Sequence, residues 1–376
     1  MEEYLTKSEF SDRSRNAYLA KRSFNKQLGL VEAKYPQLWK ELHRFSLNSL
    51  RNFGFRKRNT MTSVIQDEIT NVVLELKSSV KEYNGIHKFD GYFTVSILNI
   101  IWSILAGKRY EHNDSKLLRL VKVTRNIMEA FSVDNLLMAY PEWKNWFPNW
   151  TGMTELIDER RMLGLFKTHP ENLVDEFLRE AEKHEKETTS NTLTWCILFL
   201  MLNPRVQRKL QEEIDSVVPQ GTFPTVDQES QLHYLRAVLA ETHRMNSETH
   251  VSAHGPPSAD KRCGTYISAH LHAVHYDKRY WKDPQTFRPE RFIDGNGNFK
   301  SDPRLKPFGF GKRMCPGESL VSMNLMYFVC ALLRNFTFQP VPNELPPSTE
   351  PVPGASVGPH PFQAWIECRT KNLNEI

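Results

Sequence analysis

The chain has 376 residues, and its 49 Lys and Arg against 44 Asp and Glu give a formal net charge of +5. Hydrophobic residues make up 40% and charged residues 25% of the sequence, which excludes the disordered, collagen-like and disulfide-dense classes of protein. The charge is too small for a strongly basic nucleic-acid-binding domain. This length allows about two or three domains or one large enzyme core.

The N-terminus and the cysteines indicate the compartment. The chain begins with the acidic, polar residues Met1 to Tyr4, unlike a signal peptide. The longest apolar run, Trp195 to Leu202, is too short to span a membrane and predicts a buried helix. Scattered cysteines without CxxC pairs favour free thiols in a reducing compartment over a disulfide framework or a zinc site. The cysteines are Cys196, Cys263, Cys315, Cys330 and Cys368.

Most of the chain predicts helix. Leu173 to Ala181 forms an amphipathic stripe, and Asn203-Pro204 predicts the start of the next helix, with Asn as its cap. The segment from Leu235 to Arg244 predicts a third helix, and the Pro-, Gly- and His-rich stretch from Asn246 to Lys300 predicts loops with short strands. Near the C-terminus, apolar residues lie nearly all round the helix predicted from Leu320 to Phe336, so we expect it to be buried inside a large core. A Pro-rich loop or hairpin is predicted from Pro340 to Pro361.

One segment, from Pro307 to Glu318, carries the chemistry. Gly309 and Gly311 allow a tight turn, and the helix predicted after Gly317 favours a thiolate at Cys315. Arg313 supplies a cation suited to a carboxylate partner. A thiolate on a rigid, electropositive loop is what an axial ligand of iron needs. The alternative is an inert cysteine in a Gly-rich turn.

The segment also matches a longer pattern. Phe308, Gly311, Arg313, Cys315 and Gly317 occupy the fixed positions of Phe-x-x-Gly-x-Arg-x-Cys-x-Gly. This pattern resembles the haem-binding loop of the cytochrome P450 superfamily, and the segment from Asn99 to Tyr110 is similar to its animal or insect microsomal members. The resemblance implies a mainly α fold with small β-sheets. It also implies haem b bound through Cys315, with Arg313 on a haem propionate and Phe308 at the cofactor.

Two further motifs resemble the family. Glu241-x-x-Arg244 lies upstream of the loop, and Arg291 stands between them in a segment similar to the family's Pro-Glu-Arg-Phe. The resemblance implies that the three residues form a buried charge network that braces the cysteine loop. Removal of one partner from such a network leaves an unpaired buried charge. Glu-x-x-Arg alone is a weak signal, since ion pairs at this spacing are common on helix surfaces.

The segment from Glu187 to Leu193 resembles the oxygen-activating part of the family's central helix. An acid followed by a hydroxyl, here Glu187 and Thr188, can relay protons as a general acid. In the family a small pair of residues precedes the acid, whereas here His184 and Glu185 stand there. A polar helix start without catalytic function is the alternative.

A haem-propionate helix is suggested near the N-terminus. Trp39 begins a segment similar to the family's Trp-x-x-x-Arg, with His43 in the place of the Arg. Trp39 and His43 are therefore predicted to bind cofactor, and Arg44 could reach the propionate instead of His43. The other alternative is a structural Trp and a surface His. The basic cluster from Arg51 to Arg58 is predicted to be a solvated face or a docking patch for an acidic reductase.

The resemblance extends from about Ser8 to Arg369 and predicts a single domain over residues 1–376. Relative to the family, the N-terminal anchor and the first β-sheet are expected to be missing, and deletions are expected near residues 185–187 and 246–268. The family implies the cytosolic face of the endoplasmic reticulum membrane; without an anchor, the cytoplasm is the alternative.

The resemblance implies a monooxygenase that inserts one atom of dioxygen into an apolar small molecule, with electrons from NADPH delivered by a reductase. The first alternative is a truncated, catalytically impaired remnant that binds haem weakly or not at all. The second is a helical interaction protein with a free thiol. No nucleic-acid partner is expected.

Overall fold

The computed structural model describes residues 6–7, 11–12, 30, 33–52, 58–106, 109–112, 114–115, 118, 121, 146, 173–246, 252–254, 267–352 and 357–369. Only the backbone is described for residues 49–52, 58–60, 105–106, 173–187, 252–254 and 267–269. These residues form a mainly helical protein with small antiparallel sheets, which confirms the predicted fold class.

Helices supply most of the structure. The N-terminal group comprises α1 (Gln37–Asn52), α2 (Arg58–Glu82) and α3 (Tyr92–Ala106). The central group comprises α4 (Leu173–Leu202), α5 (Pro204–Val217), α6 (Val226–Gln231) and α7 (His233–Met245). Two short helices, α8 (Leu271–His275) and α9 (Lys278–Trp281), precede the long C-terminal helix α10 (Glu318–Asn335). Short 3-10 turns occupy Pro289–Phe292 and Gly311–Arg313.

The strands form small antiparallel sheets. In the largest, β7 (Phe362–Cys368) lies between β1 (Ile86–Phe89) and β4 (Phe336–Gln339). The pairs β2 (Ser252–His254) with β3 (Ile267–Ala269) and β5 (Pro351–Val352) with β6 (Gly358–Pro359) form two-stranded ladders. The β5–β6 pair confirms the hairpin predicted in the Pro-rich tail.

The second half of α4 and most of α10 lie inside one large core. Residues 192–201 of α4 are all buried, and α4 contacts α3, α7 and α10. This arrangement confirms the buried helices predicted from Trp195 to Leu202 and from Leu320 onward. Because α10 begins directly after the cysteine loop, the core fixes the position of that loop.

Two buried glutamines on α5 cover the edge of the main sheet that β4 forms. The Gln207 amide on α5 donates to the Phe338 carbonyl at 2.8 Å and accepts from the Phe338 N–H at 2.8 Å. Gln211, one turn further on, donates to the Phe336 carbonyl at 3.1 Å. These bonds satisfy backbone groups that an edge strand would otherwise leave open.

Two local predictions need correction. Asn203 precedes α5, but its side chain makes no capping bond; it donates to the Phe199 carbonyl of α4 at 2.8 Å. The reason is that α4 ends one residue earlier, so its last carbonyls compete for the amide. The region after Asn246 holds the helices α8 and α9 as well as the predicted short strands.

Candidate functional site

The cysteine loop is a closed turn between Lys306 and Gly317. The Gly309 N–H donates to the Lys306 carbonyl at 3.1 Å, and the Cys315 N–H donates to the Phe308 carbonyl at 3.0 Å. Gly309 has φ +73° and Gly311 has φ +74°, a conformation that side-chain-bearing residues rarely adopt. The two glycines therefore allow the chain to fold back and place Cys315 beside Phe308.

Cys315 is half-buried at the N-terminal end of α10. Gly317 is the N-cap of this helix and Glu318 its first residue. Unpaired N–H groups give a helix start a partial positive charge, which lowers the cost of a thiolate placed there. The position of Cys315 is thus chemically suited to a metal-ligating thiolate.

Arg313 ties the loop to the N-terminal part of the chain. Its guanidinium donates to the carbonyl oxygens of Ser11 at 2.8 Å, Leu30 at 3.0 Å and Ala33 at 2.7 Å. The guanidinium carbon also lies 4.7 Å from the centre of the Trp39 ring on α1. A planar guanidinium can form such a set of bonds and stack on an aromatic ring at the same time.

The site on α1 is aromatic and positively charged. His43 stacks on Trp39, with ring centroids 4.5 Å apart and an interplanar angle of 18°. Lys312, next to Arg313 in the loop, donates to the Tyr35 hydroxyl at 2.9 Å. The predicted residues Trp39, His43 and Arg313 therefore lie together.

Burial and positive charge shift the pKa values of two residues in this cluster. Burial, and then the charge of Arg313, lower the pKa of His43 below its ordinary value. The hydrogen bond from Lys312 lowers the pKa of Tyr35, against the opposing effect of burial. A nearby cation contributes to each shift, although burial is the larger cause for His43. The cations Arg313 and Lys312 make the cluster suited to binding an anionic group such as a carboxylate.

The three residues predicted to form a brace are in contact. Arg244 forms a two-point ion pair with Glu241, with Nε to Oε2 at 2.7 Å and Nη2 to Oε1 at 2.8 Å, and both side chains are 0% exposed. Arg291 approaches Glu241 Oε1 at 3.3 Å and also donates to the carbonyls of Trp281 and Asp283. Every charge in this buried network thus has an oppositely charged or dipolar partner, as burial requires.

The brace also reaches the cysteine loop. His243, which lies between Glu241 and Arg244, meets the Phe308 ring edge-on at 5.2 Å between centroids. Burial lowers the pKa of His243 to about 4, so the ring is neutral at physiological pH. No local sequence pattern links residues 243 and 308, so this contact has no signal in the sequence.

The central helix α4 is unbroken from Leu173 to Leu202, so the amphipathic stripe and the Thr188 segment belong to one helix. Thr188 is partly buried, and its carbonyl accepts from the Thr192 hydroxyl at 2.8 Å. The Thr192 hydroxyl in turn lies 3.4 Å from the side-chain nitrogen of Asn246, at the end of α7. The side chain of Glu187 lies outside the described residues, as do the side chains of Arg51, Arg56, Lys57 and Arg58.

Four of the five cysteines lie in the described ranges. Among the described residues, Cys196, Cys315, Cys330 and Cys368 form no disulfide bond; Cys263 lies outside the described ranges. Burial raises the pKa of Cys196 and of Cys330 to about 12, so neither is a nucleophile. Among the described helices, none combines the length and hydropathy needed to cross a bilayer.

These features define a class: a mainly helical enzyme with one cysteine at a helix start, a cationic aromatic cluster beside it and a buried charge network behind it. A model of the cytochrome P450 family matches residues 1–160 and 156–365. The chain belongs to the cytochrome P450 family, which confirms the predicted resemblance. It is a haem-thiolate monooxygenase that uses dioxygen and a small-molecule substrate.

Individual relatives agree with this assignment. Farnesoate epoxidase of Bombyx mori is 31% identical over 96% of this chain and 80% of the relative. Cytochrome P450 2J2 of Homo sapiens is 31% identical over 85% of this chain and 71% of the relative. Cytochrome P450 2L1 of Panulirus argus is 30% identical over 88% of this chain and 77% of the relative. The alignment with the Bombyx mori relative is 401 positions long, which is more than the 376 residues of this chain, so some residues of the relative have no counterpart here. The deletions expected near residues 185–187 and 246–268 remain predictions.

The residues fit a haem. The cofactor needs a thiolate and cations for its propionates, and the loop presents Cys315 two residues after Arg313, whose guanidinium carbon lies 4.7 Å from the centre of the Trp39 ring. Among the described residues there is no group of three or more His, Cys, Asp or Glu that could hold a metal ion by protein ligands alone.

Proposed function

We propose that Cys315 ligates the iron of haem b and that this chain inserts one oxygen atom into an apolar organic substrate, by hydroxylation or epoxidation. One observation carries the proposal: the Cys315 N–H is bonded to the Phe308 carbonyl at 3.0 Å, which holds the cysteine at the start of α10. When bound, the haem supplies the activation of dioxygen.

The propionates of the haem are assigned to the cluster of Arg313 and His43 around Trp39. Arg313, Trp39 and His43 would hold them, and Phe308 would pack at the loop. Support comes from the stacking of Arg313 and His43 on Trp39, at 4.7 Å and 4.5 Å from its ring centre. His43 with a lowered pKa is a neutral hydrogen-bond donor, so it would help to orient a propionate while Arg313 supplies the charge.

The proton-delivery role is assigned to α4. The reaction consumes dioxygen, two electrons from NADPH and protons, and it releases water with the oxygenated product. Thr188 Oγ1 and the carboxyl of Glu187 would move those protons as general acids. Support comes from the position of Thr188, partly buried at the point where α4 enters the core.

Electrons are proposed to come from an NADPH-dependent reductase at the cytosolic face of the endoplasmic reticulum, as the family resemblance implies. The substrate is proposed to be apolar. Farnesoate is the first compound to test because one relative, 31% identical to this chain, is named for its epoxidation.

The test uses purified chain supplied with haem, a microsomal reductase and NADPH. We expect NADPH consumption that depends on substrate, with one oxygenated product formed and labelled by oxygen-18 gas. Haem binding without substrate-dependent product would favour the catalytically impaired remnant. Failure to bind haem at all would overturn the proposal.

A further inference from the structure

His275 lies between the brace and the cysteine loop and contacts both. It is the last residue of α8 and is 0% exposed. Its main-chain carbonyl accepts from Arg244 Nη1 at 2.9 Å. Its side-chain Nε2 lies 3.0 Å from the backbone nitrogen of Lys306, the first residue of the loop's closing turn.

The hydrogen bond from the Lys306 N–H to Nε2 fixes which ring nitrogen of His275 carries the proton. A backbone N–H can only donate, so Nε2 of His275 must be unprotonated and the ring must carry its proton on Nδ1. Burial, and then the charge of Arg244, lower the pKa of His275 to about 4, so the acceptor is present at physiological pH. The backbone of Arg304 also hydrogen-bonds the ring.

Two backbone hydrogen bonds connect Lys306 to Cys315. The Lys306 carbonyl accepts from Gly309, and the Phe308 carbonyl, inside the same turn, accepts from Cys315 at 3.0 Å. Loss of the acceptor at position 275 therefore frees the first residue of the turn that holds Cys315. Loss of this hydrogen bond leaves a backbone N–H without its acceptor and destabilises the turn.

We propose that His275 is a positioning residue for Cys315: its main chain is held by Arg244, and its Nε2 holds Lys306, so His275 links the brace to the turn that holds the cysteine. The consequence for iron ligation rests on the proposed function. The positioning itself is a property of the protein chain and is measurable without haem.

The test compares His275→Phe, which removes the acceptor but keeps a planar ring, with His275→Gln, which can place an oxygen near the position of Nε2. His270→Phe is the matched control, because His270 is exposed at the start of the same short helix. Hydrogen–deuterium exchange of peptides covering Lys306 to Cys315 is measured in haem-free protein, and the reduced carbon-monoxide spectrum is measured in haem-loaded protein.

We expect exchange over the loop to rise on the order of tenfold in His275→Phe, with peptides from the middle of α4 and α10 unchanged. In haem-loaded protein, His275→Phe should lose part of the red-shifted Soret band. His275→Gln should restore both that band and the slower exchange of the loop. Unchanged exchange in His275→Phe, an equal rise in all peptides, or no rescue by Gln would overturn the proposal.

A measurement on the unaltered chain covers the case in which His275→Phe does not fold. Nitrogen-15 shifts of the His275 ring should show a neutral imidazole with its proton on Nδ1. A proton on Nε2 would contradict the proposal. A chain that shows the predicted exchange pattern but binds no haem would refute the proposed function and leave the positioning intact.

Discussion

The guanidinium of Arg313 lies 4.7 Å from the ring centre of Trp39, which joins the cysteine loop to α1. The same guanidinium donates to carbonyls at residues 11, 30 and 33, so one side chain organises three separate pieces of the chain. Arg313 is therefore both a proposed propionate ligand and the main tie between the loop and the N-terminal region. A substitution there should alter both properties.

Arg313→Lys should weaken haem retention and loosen the N-terminal region. Lysine keeps the charge but has no planar fork, so it cannot replace three carbonyl bonds and the stacking together. We expect the haem dissociation rate to rise by about tenfold or more, measured by transfer of haem to an acceptor globin. Arg44→Lys, at an exposed position on α1, is the control and should leave the rate unchanged.

Glu241→Gln should strongly destabilise the fold. The substitution leaves Arg244, which is 0% exposed, without its carboxylate partner and should lower the free energy of unfolding by about 3–5 kcal/mol. Urea unfolding of haem-free protein measures this change. Arg279→Gln removes a surface pair in which the arginine is 90% exposed, and its unfolding midpoint should stay the same. Equal effects of the two variants would refute the brace.

The stability of the chain should fall in alkaline solution because of His112. Burial lowers the pKa of this imidazole, but hydrogen bonds to Glu68 and Glu75 outweigh burial and raise it to about 9 from an ordinary 6.5. The charged form is therefore stabilised in the folded state, and its contribution is complete below about pH 6.5 and lost as the pH rises through about 9.

The measurement for His112 is the difference in free energy of unfolding between wild type and His112→Gln. We expect this difference to be on the order of 1–2 kcal/mol larger near pH 6 than near pH 10, a modest value because Glu75 is 43% exposed and screened by solvent. His360→Gln, an exposed site, serves as the control. A difference that does not vary with pH would contradict the assignment.

Thr188→Ala should uncouple electron use from product formation. Loss of a general acid lowers the rate of the step it serves by about 10²-fold or more, while electron delivery does not need this hydroxyl. Product per NADPH consumed should therefore drop, and Thr188→Ser should restore it. Thr194→Ala removes a hydroxyl bonded within the same helix, to Ser190, and should have no such effect. An unchanged ratio in Thr188→Ala would remove Thr188 from the mechanism.

The sequence predicted what depends on local pattern and missed what depends on distant contacts. Apolar residues all round Leu320 to Phe336 predicted a buried helix, and the spacing of Gly311, Arg313 and Cys315 predicted the loop. The partners of Arg313 lie as far as 302 residues away, so no local spacing indicates them. His275 is similar: its role depends on a backbone N–H 31 residues later, which has no sequence signal. Asn203 shows the opposite error: its sequence context predicts a helix cap, but its side chain donates to the Phe199 carbonyl of the preceding helix.

The central claim is that Cys315 ligates haem iron, and the reduced carbon-monoxide spectrum tests it most directly. Wild type and Cys315→Ala are purified with the same haem supply, with Cys368→Ala as the control at another half-buried thiol. The account predicts a strongly red-shifted Soret band in wild type and in Cys368→Ala, and its loss in Cys315→Ala. Persistence of that band in Cys315→Ala, or its absence from haem-supplied wild type, would contradict the account.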